Sequence, residues 1–212
     1  MYTVRHYTPQ DFEAWNNFVA ASKNGTFLFN RGFMEYHADR FADYSIMVFE
    51  GQKPMALLPA NRAGAIVHSH QGLTYGGLIL GQKARQETVI LLLKSILCYL
   101  EKQGIKTFTL KTIPAIYHKT PAQEIEYALF LARAIVVRRD SLSVIENASK
   151  IKIAHNRMEG VKKGLANNFT VIESQDYNAF WQDLLLPNLT QKHNALPVHT
   201  HVEMKRLHEL FP

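Results

Sequence analysis

The segment that most restricts the fold is 69–77, whose sequence SHQGLTYGG lies between two apolar, strand-like stretches. Its three glycines, within six positions, let backbone approach backbone or a ligand where a Cβ atom would clash. Its polar side chains would lie between buried strands, where α/β proteins often bind ligands. The segment therefore predicts either one edge of a ligand crevice or simply a polar, glycine-rich connection.

The composition is that of an ordinary globular protein. The chain has 212 residues, of which 47% are hydrophobic and 20% charged, enough for one large domain or two small ones. Its single cysteine, Cys98, allows no disulfide framework within the chain and favours a reducing compartment. The N-terminus lacks a signal core, and no apolar stretch approaches the roughly 18 residues that span a bilayer. We therefore predict a cytoplasmic protein without a membrane span.

The net charge of +6 is concentrated in one segment. Residues 149–168 contain five lysines and arginines against one acidic residue, Glu159. Such a segment is typical either of a site for phosphates or an acidic carrier, or of a solvated helix face. The chain has no DNA-reading motif and no basic strand interleaved with aromatic residues, which argues against DNA as a partner.

Hydrophobic periodicity predicts an alternation of helices and strands. Capping signals and apolar stripes predict a short helix after Asn30 and longer helices at about 9–21, 84–103 with Gly104 as its cap, 121–133, 149–165, 176–192 and 201–210. Apolar or alternating runs predict strands at 44–50, 53–59, 65–69, 107–111, 135–138 and 169–172. The first three of these strands predict an antiparallel meander.

This order of elements predicts an α/β fold with a mixed, largely antiparallel central sheet and helices on both faces. A polar stretch at 138–150 predicts a boundary between a main domain, 1–146, and a C-terminal part, 147–212. We expect the C-terminal part to contain the basic helix, one strand and further linking helices.

Several short motifs follow one another in a distinctive order along the chain. They are GTFLFN at 25–30 with Phe33, Tyr36 and His37, ALLPA at 56–60, the segment 69–77, Ile113-Pro114 with Tyr117, Glu124 with Tyr127, the basic segment 157–164, and 197–200. In this order they resemble the FemAB-like branch of the GNAT acyltransferase superfamily, whose members contain two tandem GNAT-like domains. The resemblance implies a GNAT-like fold and transfer of an acyl group to an amino group of a cell-envelope sugar or peptide precursor.

The resemblance also implies that the amine attacks the carbonyl of an acyl-CoA or an acyl-tRNA directly, without a covalent enzyme intermediate. Enzymes of this type usually continue past the point where this chain stops. We therefore expect a first GNAT-like domain with linking helices, and an absent second domain that would carry most of the donor-binding machinery. The nearest counterpart of a coenzyme A pyrophosphate loop is 157–162, which has Lys162 where a small residue is needed and falls within a predicted helix. We expect no intact pyrophosphate loop in this chain.

A second interpretation of the same fold stays open. Without a donor loop, the chain would be a non-catalytic binding or dimerisation module whose helices at 176–210 pack on a partner or on a second copy, giving a homodimer. Transfer RNA is expected as a partner only in the role of an acyl donor.

Acyl transfer to an amine requires a group that removes a proton and donors that stabilise the developing oxyanion. We predict His70, Glu124 or Glu126 as the base, although a glutamate at a helix start also simply complements the helix dipole. Tyr75 or Tyr117 would be the acid or hydrogen-bond donor, and the spacing does not fix these roles. His68 and His70 would share one strand face, but without an apparent third ligand they predict no metal site. The residues predicted to bind the acceptor are Asn30, Phe33, His37, Gln71, Gly72, Gly76 and Tyr117, with Arg157, Lys162 and Lys163 for its phosphates.

Overall fold

The structure, a computed structural model, describes residues 2–146, 148 and 151–212, apart from the side chain of His37. The chain forms two compact units, one of Met1–Ala134 with Arg206–Pro212 and the other of Ile135–Lys205. The sequence-based boundary after residue 146 stays a prediction.

The first unit combines strands and helices, whereas the described part of the second unit contains helices only. The strands are β1 (Tyr2–His6), β2 (Ile46–Glu50), β3 (Lys53–Leu58), β4 (Asn61–Ala63), β5 (Ile66–His68), β6 (Ile79–Leu80) and β7 (Thr107–Thr109). The helices are α1 (Phe12–Ala21), α2 (Arg31–Met34), α3 (Gln86–Lys102), α4 (Glu124–Leu131), α5 (His155–Ala166), α6 (Tyr177–Ala179), α7 (Leu186–His193) and α8 (His201–Leu210). Short 3-10 turns lie at Pro9–Asp11, Phe27–Phe29, Glu35–His37 and Ala115–Tyr117, and a π-helical segment, Phe180–Leu185, joins α6 to α7.

The first unit is built around two sheets. An antiparallel sheet has the strand order β1-β2-β3-β6, and a second sheet has the order β4-β5-β7 with β5 and β7 parallel. Residues of β2 alternate between the two faces of its sheet. Ile46 and Val48 pack in one apolar cluster with α3, and Met47 packs in another with α1. This mixed, largely antiparallel α/β architecture with helices on both faces confirms the predicted fold class.

Helix α3 contributes the largest share of the core because its apolar residues recur at helical spacing. Its buried residues are Val89, Leu92, Leu93, Ile96 and Leu100. Gly104 follows the helix with a φ of +73°, the left-handed conformation that glycine adopts at least cost. The predicted helix and its predicted cap are both confirmed.

Most other predicted elements of the first unit lie where the sequence placed them, with ends shifted by a few residues. The helix predicted at 121–133 begins at Glu124, and the strand predicted at 107–111 ends at Thr109. In the second unit the basic helix begins at His155, and the helix predicted at 176–192 consists of α6, the π-helical segment and α7. The predicted capping box of α8 is present, since the Glu203 carboxylate accepts from the Thr200 backbone N–H at 2.7 Å and Thr200 Oγ1 accepts from the Glu203 N–H at 3.2 Å.

The predicted three-strand meander is wrong at its third strand. β5 pairs with β4 and β7 and does not continue the hairpin of β2 and β3. Asn61–Ala63, which lies between the strands predicted at 53–59 and 65–69, is itself strand β4. The side chain of Asn61 holds it there, because its amide donates to Gln71 Oε1 at 2.8 Å and its carbonyl oxygen accepts from the Gln71 N–H at 2.7 Å.

The strands predicted at 135–138 and 169–172 are also wrong, since both segments are irregular in the structure. Their β-branched and aromatic residues have high strand propensity, but that propensity expresses packing on a half-buried surface more than a preference of the backbone. Side chains such as Val137 and Ile172 are exposed. No described strand pairs with either segment, so nothing there fixes an extended backbone.

Candidate functional site

The glycines of segment 69–77 allow close contact between backbones. A Cβ atom at Gly76 would collide with the carbonyl oxygen of Ser69, and one at Gly77, whose φ is +99°, would lie 3.0 Å from the carbonyl oxygen of Lys111. The backbone N–H of Lys111 also donates to Ser69 Oγ at 2.7 Å. Segment 69–77 therefore packs directly, backbone against backbone, on the residues that follow β7.

The hydroxyl of Tyr75 links segment 69–77 to Thr26, earlier in the chain. The side chain is largely buried, and its hydroxyl donates to Thr26 Oγ1 at 3.2 Å. Its ring stacks on that of Tyr117, with centroids 5.1 Å apart, and meets Phe29 edge-on at 5.9 Å. Burial raises the pKa of Tyr75, so the hydroxyl stays protonated at neutral pH and can donate a hydrogen bond or a proton.

Thr26 also lines a pocket of about 200 Å³, here named the Thr26 pocket. Its wall consists of Val19, Ala20, Gly25, Thr26, Phe27, Asn30 and Lys119. The ammonium group of Lys119 donates to the carbonyl oxygen of Ala20 at 2.8 Å, at the C-terminal end of α1, where the helix dipole favours a cation. The pocket thus combines a hydroxyl, an amide, an aromatic ring and a positive charge.

Asn24 holds the chain that forms this pocket against the edge strand β6. Its side-chain amide donates to the carbonyl oxygen of Leu78 at 3.0 Å and its Oδ1 accepts from the N–H of Leu80 at 2.9 Å. The next residue, Gly25, has no room for a side chain, because a Cβ atom would collide with Ser22 Oγ. The pocket wall is therefore fixed by the sheet.

The structure brings four of the predicted site residues together around the Thr26 pocket. Asn30 lines it, and Phe33 packs edge-on against the pocket residue Phe27 with ring centroids 5.3 Å apart. Tyr75 reaches it through Thr26, and Tyr117 stacks on Tyr75. The side chain of His37, also predicted here, lies outside the described part of the chain.

The other predicted residues of segment 69–77 have different neighbours. His70 is buried in the left-handed conformation, with a φ of +70°, and its ring lies 5.5 Å from that of Phe41. Gln71 is held by Asn61. Gly72 and Gly76 belong to the packed turn. The ring of the predicted base His70 meets Phe41, whereas the predicted acid Tyr75 contacts Thr26 and Tyr117.

Glu124, the other predicted base, forms an ion pair with the buried Lys23. The ammonium group of Lys23 donates in addition to the carbonyl oxygen of Ala84 at 3.1 Å, and Gln86 donates to the Glu124 carbonyl oxygen at 2.9 Å. These bonds tie the start of α4 to the start of α3. The Glu124 carboxylate is therefore already engaged by a buried ammonium group.

The predicted phosphate-binding residues lie on α5 in the second unit. Arg157, Lys162 and Lys163 are exposed there. Lys162 pairs with Glu159 at 3.0 Å, three residues away on the same helix. Gly160, the central glycine of the candidate pyrophosphate segment, lies inside this helix.

Comparisons with known proteins leave the family undecided. No family model and no curated protein matches the chain. Among solved structures, the ribosomal-protein-S18-alanine N-acetyltransferase of Escherichia coli aligns at 16% identity and a TM-score of 0.38, covering 51% of this chain and 64% of its own. The wild-type protein TTHA1254 of Thermus thermophilus (21% identity, TM-score 0.39) is covered over 99% of its length by 70% of this chain. A transcriptional regulator of Bacillus halodurans (14% identity, TM-score 0.39) is covered completely by 69% of this chain. At these scores the likenesses decide neither the fold nor the activity.

Two further structural properties concern residues 2–146, 148 and 151–212 only. Within these ranges no group of three or more His, Cys, Asp or Glu side chains is placed to hold a metal ion. Their helices include none with the length and apolar character needed to cross a membrane.

Sequence reasoning missed two residues that define the pocket. Thr26 falls within the GTFLFN motif, so the sequence could have indicated its position. Its hydrogen bond to Tyr75 could not be predicted. Lys119 gave no signal, because its contact with Ala20 joins residues 99 positions apart. Contacts of this kind depend on the path of the chain and are not visible in local sequence.

Proposed function

We propose that the chain is a GNAT-like N-acyltransferase domain and that the Thr26 pocket binds the acceptor amine. Two observations support this. The order of motifs resembles the FemAB-like branch, and four residues that the resemblance singled out lie around one pocket. The observation that carries the proposal is the hydrogen bond from the protonated hydroxyl of the largely buried Tyr75 to the pocket residue Thr26.

In the proposed reaction the amine nitrogen attacks the carbonyl carbon of a thioester donor. The C–N bond forms, the C–S bond breaks, and the leaving thiolate takes a proton. Tyr75 turns its hydroxyl proton from Thr26 Oγ1 to the thiolate, and it regains a proton from water after the thiol leaves. The proton lost by the amine passes to water. The donor is an acyl-CoA or an acyl-tRNA.

The pocket wall favours an acceptor that carries an acidic group near its amine. The ammonium group of Lys119 supplies a positive charge, Phe27 an apolar surface and Asn30 an amide. A cell-envelope sugar or peptide precursor fits this description, because such molecules combine amino groups with carboxylates or phosphates. In this proposal the protein acts in the cytoplasm, where acyl-CoA and acyl-tRNA are made.

The proposal is tested by titrating the full chain with acetyl-CoA in a calorimeter and by mass spectrometry of amino sugars and short peptides after incubation with the donor. We expect saturable but weak donor binding, since we expect no intact pyrophosphate loop in this chain, and an amide product. Asn30→Ala should weaken acceptor use without changing donor binding. The matched control is Tyr44→Phe, which removes a hydroxyl from the core outside the pocket. A chain that binds no donor and forms no product with any acceptor would support the non-catalytic module instead.

A further inference from the structure

Lys23 is a buried lysine to which the proposed reaction assigns no part. The residue is 7% exposed. Its ammonium group donates to the carbonyl oxygen of Ala84 at 3.1 Å, two residues before α3, and forms the ion pair with Glu124, the first residue of α4. Lysine is almost never buried to this degree unless its charge is paired. The side chain of Lys23 thus joins the starts of two helices.

Within the described part of the chain, the charge of Glu124 is balanced by Lys23. One carboxylate oxygen, Oε1, accepts from the ammonium group. The other, Oε2, is buried and has no hydrogen-bond partner among the described residues. A largely buried carboxylate that loses its counter-ion is left uncompensated, which is strongly unfavourable. The ion pair therefore ties the start of α4 to residue 23.

The backbone of Lys23 makes three further hydrogen bonds. Its N–H donates to the carbonyl oxygen of Leu80 in β6 at 2.9 Å. Its carbonyl oxygen accepts from the N–H groups of Lys119 and Thr120, at 2.8 and 3.2 Å. Lys119 supplies the positive charge of the Thr26 pocket. A single residue therefore connects the cation of the pocket to the edge of the sheet.

The segment 119–124 is contacted by Lys23 at both of its ends. Its first two residues donate to the Lys23 carbonyl oxygen, and its last residue, Glu124, pairs with the ammonium group. Between the 3-10 turn that ends at Tyr117 and the start of α4, the chain forms no helix or strand. The position of the segment therefore depends on contacts from elsewhere in the fold, and Lys23 supplies such contacts at both ends.

We propose that the ion pair of Lys23 and Glu124 positions the ammonium group of Lys119 at the wall of the Thr26 pocket. Lys23 is then a positioning residue, and Glu124 is its counter-ion. The inference deepens the proposed function and rests on it, because it assigns the recognition of the acceptor's acidic group to Lys119.

The contacts of Lys119 fit this role. Its ammonium group donates to the carbonyl oxygens of Ala20 at 2.8 Å and of Val19 at 3.4 Å. An ammonium group has three N–H donors, so a third remains for an acidic group of the acceptor. Such a bond between opposite charges is stronger than one between neutral groups. It forms when the acceptor binds and persists during the reaction, so its loss should raise KM and leave kcat unchanged.

The first test needs no activity and measures hydrogen exchange at the backbone N–H groups of Lys119 and Thr120 by NMR of the full chain. Lys23→Met removes the ammonium group and keeps a long apolar side chain. We expect both N–H groups to exchange about 10-fold faster, because the carbonyl oxygen that accepts them is no longer held by the ion pair. Unchanged exchange at both N–H groups overturns the proposal.

Two controls and a milder variant accompany this test. The N–H of Gly104, which donates to Glu101 at the end of α3, should exchange at the wild-type rate in every variant. Lys94→Met removes an exposed lysine of α3 and should exchange as wild type at residues 119 and 120. Glu124→Gln removes only the charge and should accelerate the same two N–H groups by a smaller factor. If Lys23→Met does not fold, unchanged exchange in Glu124→Gln overturns the proposal.

The second test separates positioning of the pocket cation from a general loss of stability. It measures kcat and KM for acetylation, by acetyl-CoA, of the dipeptide Gly-Ala and of its C-terminal amide, which lacks the negative charge. Lys23→Met should raise KM for Gly-Ala about 10-fold, leave its kcat unchanged, and leave both constants for the amide unchanged. An equal rise in KM for the two peptides overturns the proposal.

A double-mutant cycle shows whether Lys23 acts through Lys119. Lys119→Met alone should raise KM for Gly-Ala, and adding Lys23→Met should have no further effect, since both changes remove the same interaction. Additive effects overturn the proposal. If the wild type forms no amide product with any acceptor, the proposed function fails instead, and the exchange rates alone decide whether the ion pair holds Lys119 in place.

Discussion

The two units contain similar apolar residues but place them differently. Ile46 and Val48 of β2 are fully buried between neighbouring strands and α3. Ile135 and Val137 are equally apolar and β-branched, yet both are exposed, and no described residue of 135–205 is buried. Because hydrophobic stabilisation follows the area removed from water, the free energy of folding resides in the first unit. The same residue types stabilise a fold only where other elements cover them.

The largest expected effect tests this contrast with two leucines on helices. Leu92 on α3 is 0% exposed, and Leu165 on α5 is 69% exposed. Leu92→Ala should lower the free energy of unfolding by about 3 kcal/mol, since it leaves a cavity in the core. Leu165→Ala should change it by less than about 0.5 kcal/mol. Urea unfolding followed by circular dichroism measures both. Equal losses would show that the second unit shares the core.

Two arginines, one in each unit, extend the comparison between the units to charged groups. Arg31 is buried in the first unit, where it pairs with Asp43 at 2.7 Å and with Glu35 at 3.0 Å and lies 3.8 Å from the centroid of the Tyr7 ring. Removing one partner of a buried ion pair leaves the other uncompensated. Arg31→Met should therefore lower the free energy of unfolding by about 3 kcal/mol. This is the lower end of the range for breaking a buried ion pair, because both carboxylates are partly exposed.

The matched control is Arg138 in the second unit. It pairs with Asp140 at 2.8 Å, but both side chains are largely exposed. Arg138→Met should leave the urea midpoint unchanged. A loss at Arg138 similar to that at Arg31 would contradict the assignment of stability to the first unit.

A smaller, pH-dependent effect is expected at the start of the first unit. The hydrogen bond from Arg5 holds the pKa of Asp11 well below its usual value, and Asp11 also accepts from Thr8. The contribution of Asp11 to stability is therefore complete above about pH 4, the ordinary range of an aspartate, and is lost as the pH falls toward the lowered folded value. Asp11→Asn should cost about 1 kcal/mol at pH 7, because the site is solvent-screened and acts as a helix cap.

The measurement is the thermal midpoint of Asp11→Asn and wild type between pH 7 and pH 2. The two should converge as the pH falls. A constant difference over that range would show that the charge of Asp11 has no part in the effect.

The smallest expected effect comes from Tyr44. Its hydroxyl is buried and has no hydrogen-bond partner among the described residues. Because an unsatisfied buried hydroxyl costs free energy, Tyr44→Phe should leave stability unchanged or raise it by up to about 1 kcal/mol. A destabilisation larger than that in thermal unfolding would reveal a partner for this hydroxyl.

The sequence predicted what depends on local pattern. Helix α3 and its Gly104 cap follow from spacing alone, and so does the hairpin of β2 and β3. It failed where pairing depends on distant partners. Strand β4 depends on the bonds between Asn61 and Gln71, and the segments 135–138 and 169–172 lack the neighbours that strands require.

The candidate site shows the same division. Asn30, Phe33, Tyr75 and Tyr117 were found through motif order, because each lies in a segment with a distinctive local sequence. The pocket itself could not be predicted. It depends on Lys119 reaching α1 and on Asn24 reaching β6, contacts that only the folded chain creates.

The central claim is that the Thr26 pocket and Tyr75 carry out acyl transfer. The most direct measurement is kcat/KM for amide formation from acetyl-CoA by wild type, Thr26→Val and Tyr44→Phe. We expect a loss of about 100-fold for Thr26→Val, the size of a misplaced general acid, and no change for Tyr44→Phe. Equal rates for all three proteins, or no amide product from the wild type, would contradict the claim.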